Sequence, residues 1–155
     1  MRSLDLPSGS VIITPEQVPD SVYVLKRGLV GIFDKLERLM TIVYREEPFG
    51  LEALFGMKSF MHIKALLPIE VETYEPSEFK ENLRPNMRLD ALRVLSRRLW
   101  YVKRRYNLTS EERMRDVIRE MLDEGISSGE ISAMALNLSV SDALAFERVR
   151  GEFGV

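Results

Sequence analysis

Short apolar runs alternate with turn residues over the first half of the chain. Ser10–Thr14 (SVIIT), Ser21–Leu25 (SVYVL), Leu29–Phe33 (LVGIF) and Leu39–Tyr44 (LMTIVY) are rich in β-branched and aromatic residues, and Gly9, Pro15, Pro19, Asp20, Gly28 and Asp34 separate them. Strands about ten residues apart with turn signals between them predict an antiparallel sandwich or barrel. After a loop bounded by Gly50 and Gly56 come two further candidate strands, MHIKALL and IEVETYE, and helical structure is expected to begin at PSEF.

From Met87 the period becomes helical. Leu92, Leu95, Leu99, Val102 and Tyr106 follow alternating spacings of three and four, the pattern of a coiled-coil seam. The seam could fold back into its own domain, or it could join two copies of the chain. Trp100 and Tyr101 beside it favour the second arrangement, because an isolated helix would leave two large aromatics in water. Three short helices are expected beyond it. TSEE (Thr109–Glu112), SSGE (Ser127–Glu130) and SVSD (Ser139–Asp142) each offer a hydroxyl N-cap with a carboxylate three residues on. In the first of these helices Met114, Val117, Ile118, Met121 and Leu122 form one apolar face, and Gly125 supplies the stop.

The last two helices, within GEISAMALNLSVSDALAFERV (Gly129–Val149), have helix-turn-helix spacing. Ala133 would sit at the close crossing, Asn137 would take a left-handed turn conformation, and Ala143 and Phe146 would pack the second helix onto the first. A plain helical hairpin fits the same residues. In the DNA-binding form the start of the second helix enters the major groove, which makes Ser139, Val140, Ser141, Asp142, Ala145 and Arg148 the candidate DNA-facing positions. Of these, only Arg148 could make a bidentate contact to guanine.

Charge sharpens the division. The 155 residues carry a net charge of −2, with 45% hydrophobic and 30% charged side chains, as expected for one ordinary domain or two small ones. Residues 87–106 hold 7 basic and 1 acidic side chains, whereas residues 109–155 hold 5 basic and 10 acidic. Phosphate contacts dominate nonspecific affinity for DNA, so the acidic C-terminal segment would lean on Arg113, Arg115, Arg119 and Arg150. With no cysteine and one histidine, His62, neither thiolate-held metals nor a histidine metal site is expected, and His62 reads as an ordinary strand residue. No cofactor is expected. Nothing resembles a membrane span or a secretory signal, so a cytoplasmic location without membrane contact is expected.

Taken in order, these parts resemble the CRP/FNR family of bacterial transcription regulators. SGSVIITPEQVPDSVYVLKRGLVGIF looks like the opening β-roll, FGLEALFG like the ligand cassette, the Leu92–Tyr106 seam like the dimerisation helix, and RMRDVIREML like the helix after the hinge. The resemblance implies an α+β fold. An antiparallel, jelly-roll-like β-roll would occupy residues 1–86, a dimerisation helix 87–107, and a helix-turn-helix lacking most of its wing 108–155. It also implies a homodimer that reads palindromic half-sites on double-stranded DNA through Ser139, Ser141, Asp142, Ala145 and Arg148, with RNA polymerase as a further partner.

The pattern departs from the family at the cassette. Cyclic-nucleotide-binding members carry Arg-Ser after it, where this chain has Ser59-Phe60, and Glu52 is displaced by one residue. Without the guanidinium the bidentate phosphate contact is gone. Lys58 could offer only a point charge, and Phe60 is expected to fill part of the cavity. Glu52, Lys58, Ser59 and Phe60 would line any effector pocket, and no cyclic-nucleotide dependence is expected. A second reading keeps the fold as a ligand sensor or dimerisation protein that does not bind DNA. An enzyme is disfavoured, because the chain has no Ser–His–Asp or Cys–His grouping and no phosphate-cradling loop of the GxxxxGK type.

Overall fold

The structure is a computed structural model that describes residues 1–155. Eight strands come first: β1 (Arg2–Leu6), β2 (Val11–Ile13), β3 (Val22–Arg27), β4 (Val30–Phe33), β5 (Leu39–Val43), β6 (Pro48–Phe49), β7 (His62–Ala65) and β8 (Ile69–Tyr74). Five helices follow: α1 (Pro76–Glu81), α2 (Pro85–Arg105), α3 (Ser110–Asp123), α4 (Ser128–Met134) and α5 (Val140–Val149). The strands make two four-stranded antiparallel sheets, ordered β1-β8-β3-β6 and β2-β7-β4-β5. This is the expected α+β architecture. The pattern missed β1, whose residues are almost all exposed, and β6, which is only two residues long.

Turn chemistry sets the strand connections. Gly28, between β3 and β4, has φ +92°, and a Cβ there would stand 2.3 Å from the carbonyl oxygen of Pro68. No other residue fits that corner. In the β4–β5 hairpin the Asp34 carboxylate accepts from the backbone N–H groups of Leu36 and Arg38, which holds Glu37 at φ +61°.

Two hydrophobic clusters divide the interior. The first lies between the sheets and includes Ile13, Leu25, Val30, Met40, Phe49 and Ile63. The second joins the roll to the C-terminal helices: Leu29, Phe33, Leu39, Ile42 and Leu66 pack with Met114, Val117, Ile118, Met121, Ile131, Phe146 and Val149. The apolar face expected on α3 is therefore covered by the β-roll as well as by α5, while Leu122 stays at the surface.

The ends of α3 are built as its sequence suggests. Thr109 and Glu112 form a complete capping box. At the other end the N–H of Ile126 reaches the carbonyl of Met121, and that of Gly125 the carbonyl of Leu122, with Gly125 at φ +82°. This is a Schellman stop.

Strand β5 lies at the edge of its sheet, and side chains of the helices run along it. Arg97, Arg105 and Arg113 donate to the carbonyls of Ile42, Met40 and Leu39 at 3.3, 3.0 and 3.5 Å, and the Leu39 N–H donates to Asp142 Oδ2 at 2.8 Å. An edge occupied in this way does not offer itself to another strand.

Two expectations for the last helices need correction. Ala133 is exposed, and Ile131 and Met134 make the buried contacts of α4 instead. Asn137 is not left-handed. It lies in a 3₁₀ turn, and its side-chain amide donates to the Leu66 carbonyl at 2.8 Å, so an interaction with the roll, rather than a turn requirement, employs it.

Candidate effector cavity and nucleic-acid interface

Helix α2 has two unlike faces. Val94, Arg98 and Arg105 are buried against the roll. Leu92, Leu99 and Tyr106 are 60, 67 and 59% exposed, Leu95 is also exposed, and Val102 is half-buried over the first core. Leu89 and Trp100 continue the exposed ridge, with Arg104 stacked over the Trp100 ring at 5.4 Å. In one copy of the chain the seam is thus largely a wet apolar ridge, with only Val102 packed on the chain's own core.

Between that helix and the roll lies a cavity of about 350 Å³. Its floor comes from Ile32, Phe49 and Ile63 of the sheets, and one wall from the 3₁₀ turn Leu51–Phe55, which starts at Gly50 with φ +75°. Tyr23 stacks on Phe49 at 5.0 Å between ring centres and braces the floor. Leu95, Arg98, Leu99 and Val102 of α2 close the opposite side.

Three of the four expected pocket residues meet here. Glu52, Ser59 and Phe60 line the cavity. Ser59 is buried, and its hydroxyl donates to the Met61 carbonyl at 3.0 Å and accepts from the Met61 N–H, so it is occupied locally. Phe60 does not plug the space, because its side chain turns to solvent and is 63% exposed. Lys58 is not in the lining, and stands outside within 4.0 Å of Glu16. His62 lies in β7 opposite Phe33.

The cation of the cavity is Arg98, one of the 7 basic residues of segment 87–106. Arg98 is almost fully buried, and burial pulls its pKa down to about 10, opposed by the Glu47 carboxylate. A signal was available in the sequence. Val94, Arg98 and Arg105 recur at spacings of four and seven, a helical face that points inward as regularly as the leucines point outward.

Beneath the C-terminal helices sits a buried polar network. Glu120, on α3, accepts from Arg105 at 2.6 Å, from Thr41 at 3.2 Å and from the Tyr44 hydroxyl. Burial raises the Glu120 pKa in spite of these donors, and raises that of the Tyr44 phenol as well. Nearby, Arg113 donates twice to Asp142 Oδ1, at 2.8 and 2.9 Å. Burial pushes both members of this pair toward neutrality, Arg113 down and Asp142 up. In such a pair desolvation offsets much of the attraction.

This network corrects the expected DNA face. Asp142 is fully buried, and so is Ala145, because both lie on the side of α5 that packs on α3 and the roll. Ser139 caps α5 by accepting from the Asp142 N–H at 3.4 Å. Ser141 and Arg148 are exposed as expected, and Arg148 makes a loose ion pair with Glu111 at 3.4 Å. The outward face of α5 is completed by Val140, Leu144 and Glu147. Ser141 and Arg148 can donate to base edges, and the two apolar side chains can meet thymine methyls.

The supporting arginines are largely engaged within the chain. Arg113 is buried, Arg115 forks onto Glu152 at 2.7 and 3.2 Å, and Arg150 bonds Glu147, Ser132 and the Val155 carbonyl. Arg119 lies over the Phe153 ring at 5.6 Å.

Solved structures share this architecture. A CRP/FNR-family transcriptional regulator from Thermus thermophilus superposes with a TM-score of 0.62 over 97% of this chain and 87% of its own, at 20% identity. A second CRP-family transcriptional regulator from the same organism gives 0.59 over 97% and 85%, at 18% identity. The chain has the CRP/FNR fold. At these identities the likeness concerns the fold alone, and it carries the whole order of roll, long helix and C-terminal helices. No protein-family model matches the sequence, and no curated protein matches it significantly. Within the CRP/FNR fold, the cavity lies under the cassette turn and the exposed ridge runs along the long helix. No helix is long and apolar enough to cross a membrane.

Proposed function

We propose that the chain is a dimeric, DNA-binding transcriptional regulator of the CRP/FNR type that works without a cyclic nucleotide. The observation that carries this reading is the likeness to two transcriptional regulators over 97% of the chain, so that the roll, the long helix and the C-terminal helices all have counterparts. The wet ridge of Leu92, Leu95, Leu99 and Tyr106 supports the dimer, because a second α2 laid along it would remove these side chains from water. Two α5 helices related by the dimer axis would then address half-sites on one duplex, and RNA polymerase is a further partner of such a regulator. Independence from cyclic nucleotide follows from the cassette. No arginine stands in the cassette loop itself, Ser59 is occupied by Met61, Lys58 lies outside the cavity, and the guanidinium that does line it, Arg98 of α2, shares the space with the Glu52 carboxylate.

A second reading, a sensor or dimerisation protein of the same fold that does not bind DNA, draws on the buried Asp142 and the internally paired arginines. A band shift with promoter fragments at several salt concentrations separates the two. The regulator shifts DNA at low salt, and Arg148→Ala weakens specific binding by about 1–3 kcal/mol while sparing the fold. Absence of any shift at low salt removes the DNA-binding reading and leaves the sensor.

A further inference from the structure

Arg98 is a buried cation without an adequate partner. Its side chain is 9% exposed, and Nε and Nη2 are both buried with no hydrogen bond. The adjacent carboxylate, Glu47, stands 3.7 Å away, beyond hydrogen-bond distance, and is already engaged by three other donors. Its Oε1 accepts from Arg97 at 2.8 Å and from the Tyr44 N–H at 2.8 Å, and its Oε2 takes the other arm of Arg97. An unsatisfied buried guanidinium is costly, and a planar anion can satisfy it through two parallel bonds.

The cavity that Arg98 lines sets the rest of the ligand. Ile32, Met61, Ile63, Leu95 and Val102 present hydrocarbon, and Ser59 is occupied, so the walls offer little to a sugar or a base. Glu52 also lines the cavity, with Oε2 buried and unpartnered. The Glu52 carboxylate opposes every negative charge that a ligand brings, so a single anionic group facing Arg98 fits better than a polyanion. We propose that this cavity binds a monocarboxylic acid with an apolar body, its carboxylate forked onto Arg98 of α2 and its hydrocarbon lying against the sheet residues. The proposal deepens the regulator reading by naming its effector class. Because Arg98 sits on the helix that carries the exposed ridge, such a ligand would tie the roll to the proposed dimer seam.

The test uses the purified full chain without DNA, so its outcome is independent of the band shift. Sodium decanoate below its micelle concentration, 1-decanol and cyclic AMP are compared by thermal shift and titration calorimetry. Decanoate is expected to raise the melting temperature and to bind at least about tenfold tighter than the alcohol or the nucleotide, as a charge-assisted contact requires. Arg98→Met, which keeps length and apolar character, is expected to reverse the preference toward decanol. Should that variant not fold, Arg98→Lys is the second: it keeps the charge without the fork, and should prefer acid over alcohol with weaker binding than the parent. The proposal is overturned if neither acid nor alcohol binds, or if decanol or cyclic AMP equals decanoate on the parent chain. Unchanged decanoate preference in Arg98→Met, or acid and alcohol bound equally by Arg98→Lys, also overturns it.

Discussion

Replacing Asp142 by Ala tests whether the C-terminal helices are seated on the roll as described. The change removes the acceptor of two Arg113 bonds and of the Leu39 N–H, and leaves Arg113, which is 1% exposed, with only the Leu39 carbonyl at 3.5 Å. Breaking a buried pair from one side costs about 3–5 kcal/mol, because the surviving charge is left uncompensated. At about 2–4 °C per kcal/mol for a chain of this size, the melting temperature should fall by about 6–20 °C. Removing both partners, as in Arg113→Met/Asp142→Leu, replaces the pair with hydrocarbon of similar bulk; the main deficit left is the Leu39 N–H, since the Arg113 bond lost by the Leu39 carbonyl is the long one at 3.5 Å. That deficit is about 1–3 kcal/mol, so the double variant should be more stable than either single one. Chemical denaturation of the parent, Arg113→Met, Asp142→Leu and the double variant gives the cycle directly. A loss below about 1 kcal/mol for Asp142→Ala, or additive losses in the double variant, would refute the reasoning: it would mean that Asp142 is free in solution and available to face DNA.

Two further outcomes are expected. Leu92→Arg places a charge in the exposed ridge without touching the cavity, and should convert the proposed dimer to monomers by light scattering at micromolar concentration; an unchanged dimer would move the interface elsewhere. Burial raises the Glu120 pKa, so the folded chain holds its proton to higher pH than the unfolded chain does. The contribution of Glu120 to stability is therefore greatest at low pH and declines as pH rises from the ordinary carboxylate range through the raised value. The stability of the parent relative to Glu120→Gln should fall along that path in thermal melts, and a relative stability that rises with pH would contradict the assignment.

Much of the architecture was legible because it depends on local chemistry. The β-branched runs between Gly and Pro punctuation mark six of the eight strands, since a half-buried pleated surface selects such residues. The Thr109–Glu112 capping box and the Gly125 stop delimit α3 from side chains within three residues of each end, with no help from the rest of the molecule. The outward ridge of α2 was equally plain, because its period is a property of the helix itself. The cavity was half legible. Its position follows from the cassette, but the state of Phe60 and the role of Arg98 depend on where α2 lies across the roll.

The sequence by itself determined the order of elements, their caps and the apolar face of each helix, because these rest on residues close together in the chain. Only the tertiary structure decided which charges are available. Asp142 reads as a surface cap until β5, 103 residues away, presents its Leu39 N–H, and Arg113 reads as a free cation until Asp142 closes on it. A charge is attractive to a distant ligand only while it remains solvated and unpaired, and pairing over such separations in sequence leaves no periodic trace. The same reason accounts for Arg98, which packing against the roll buried without giving it a hydrogen-bond partner.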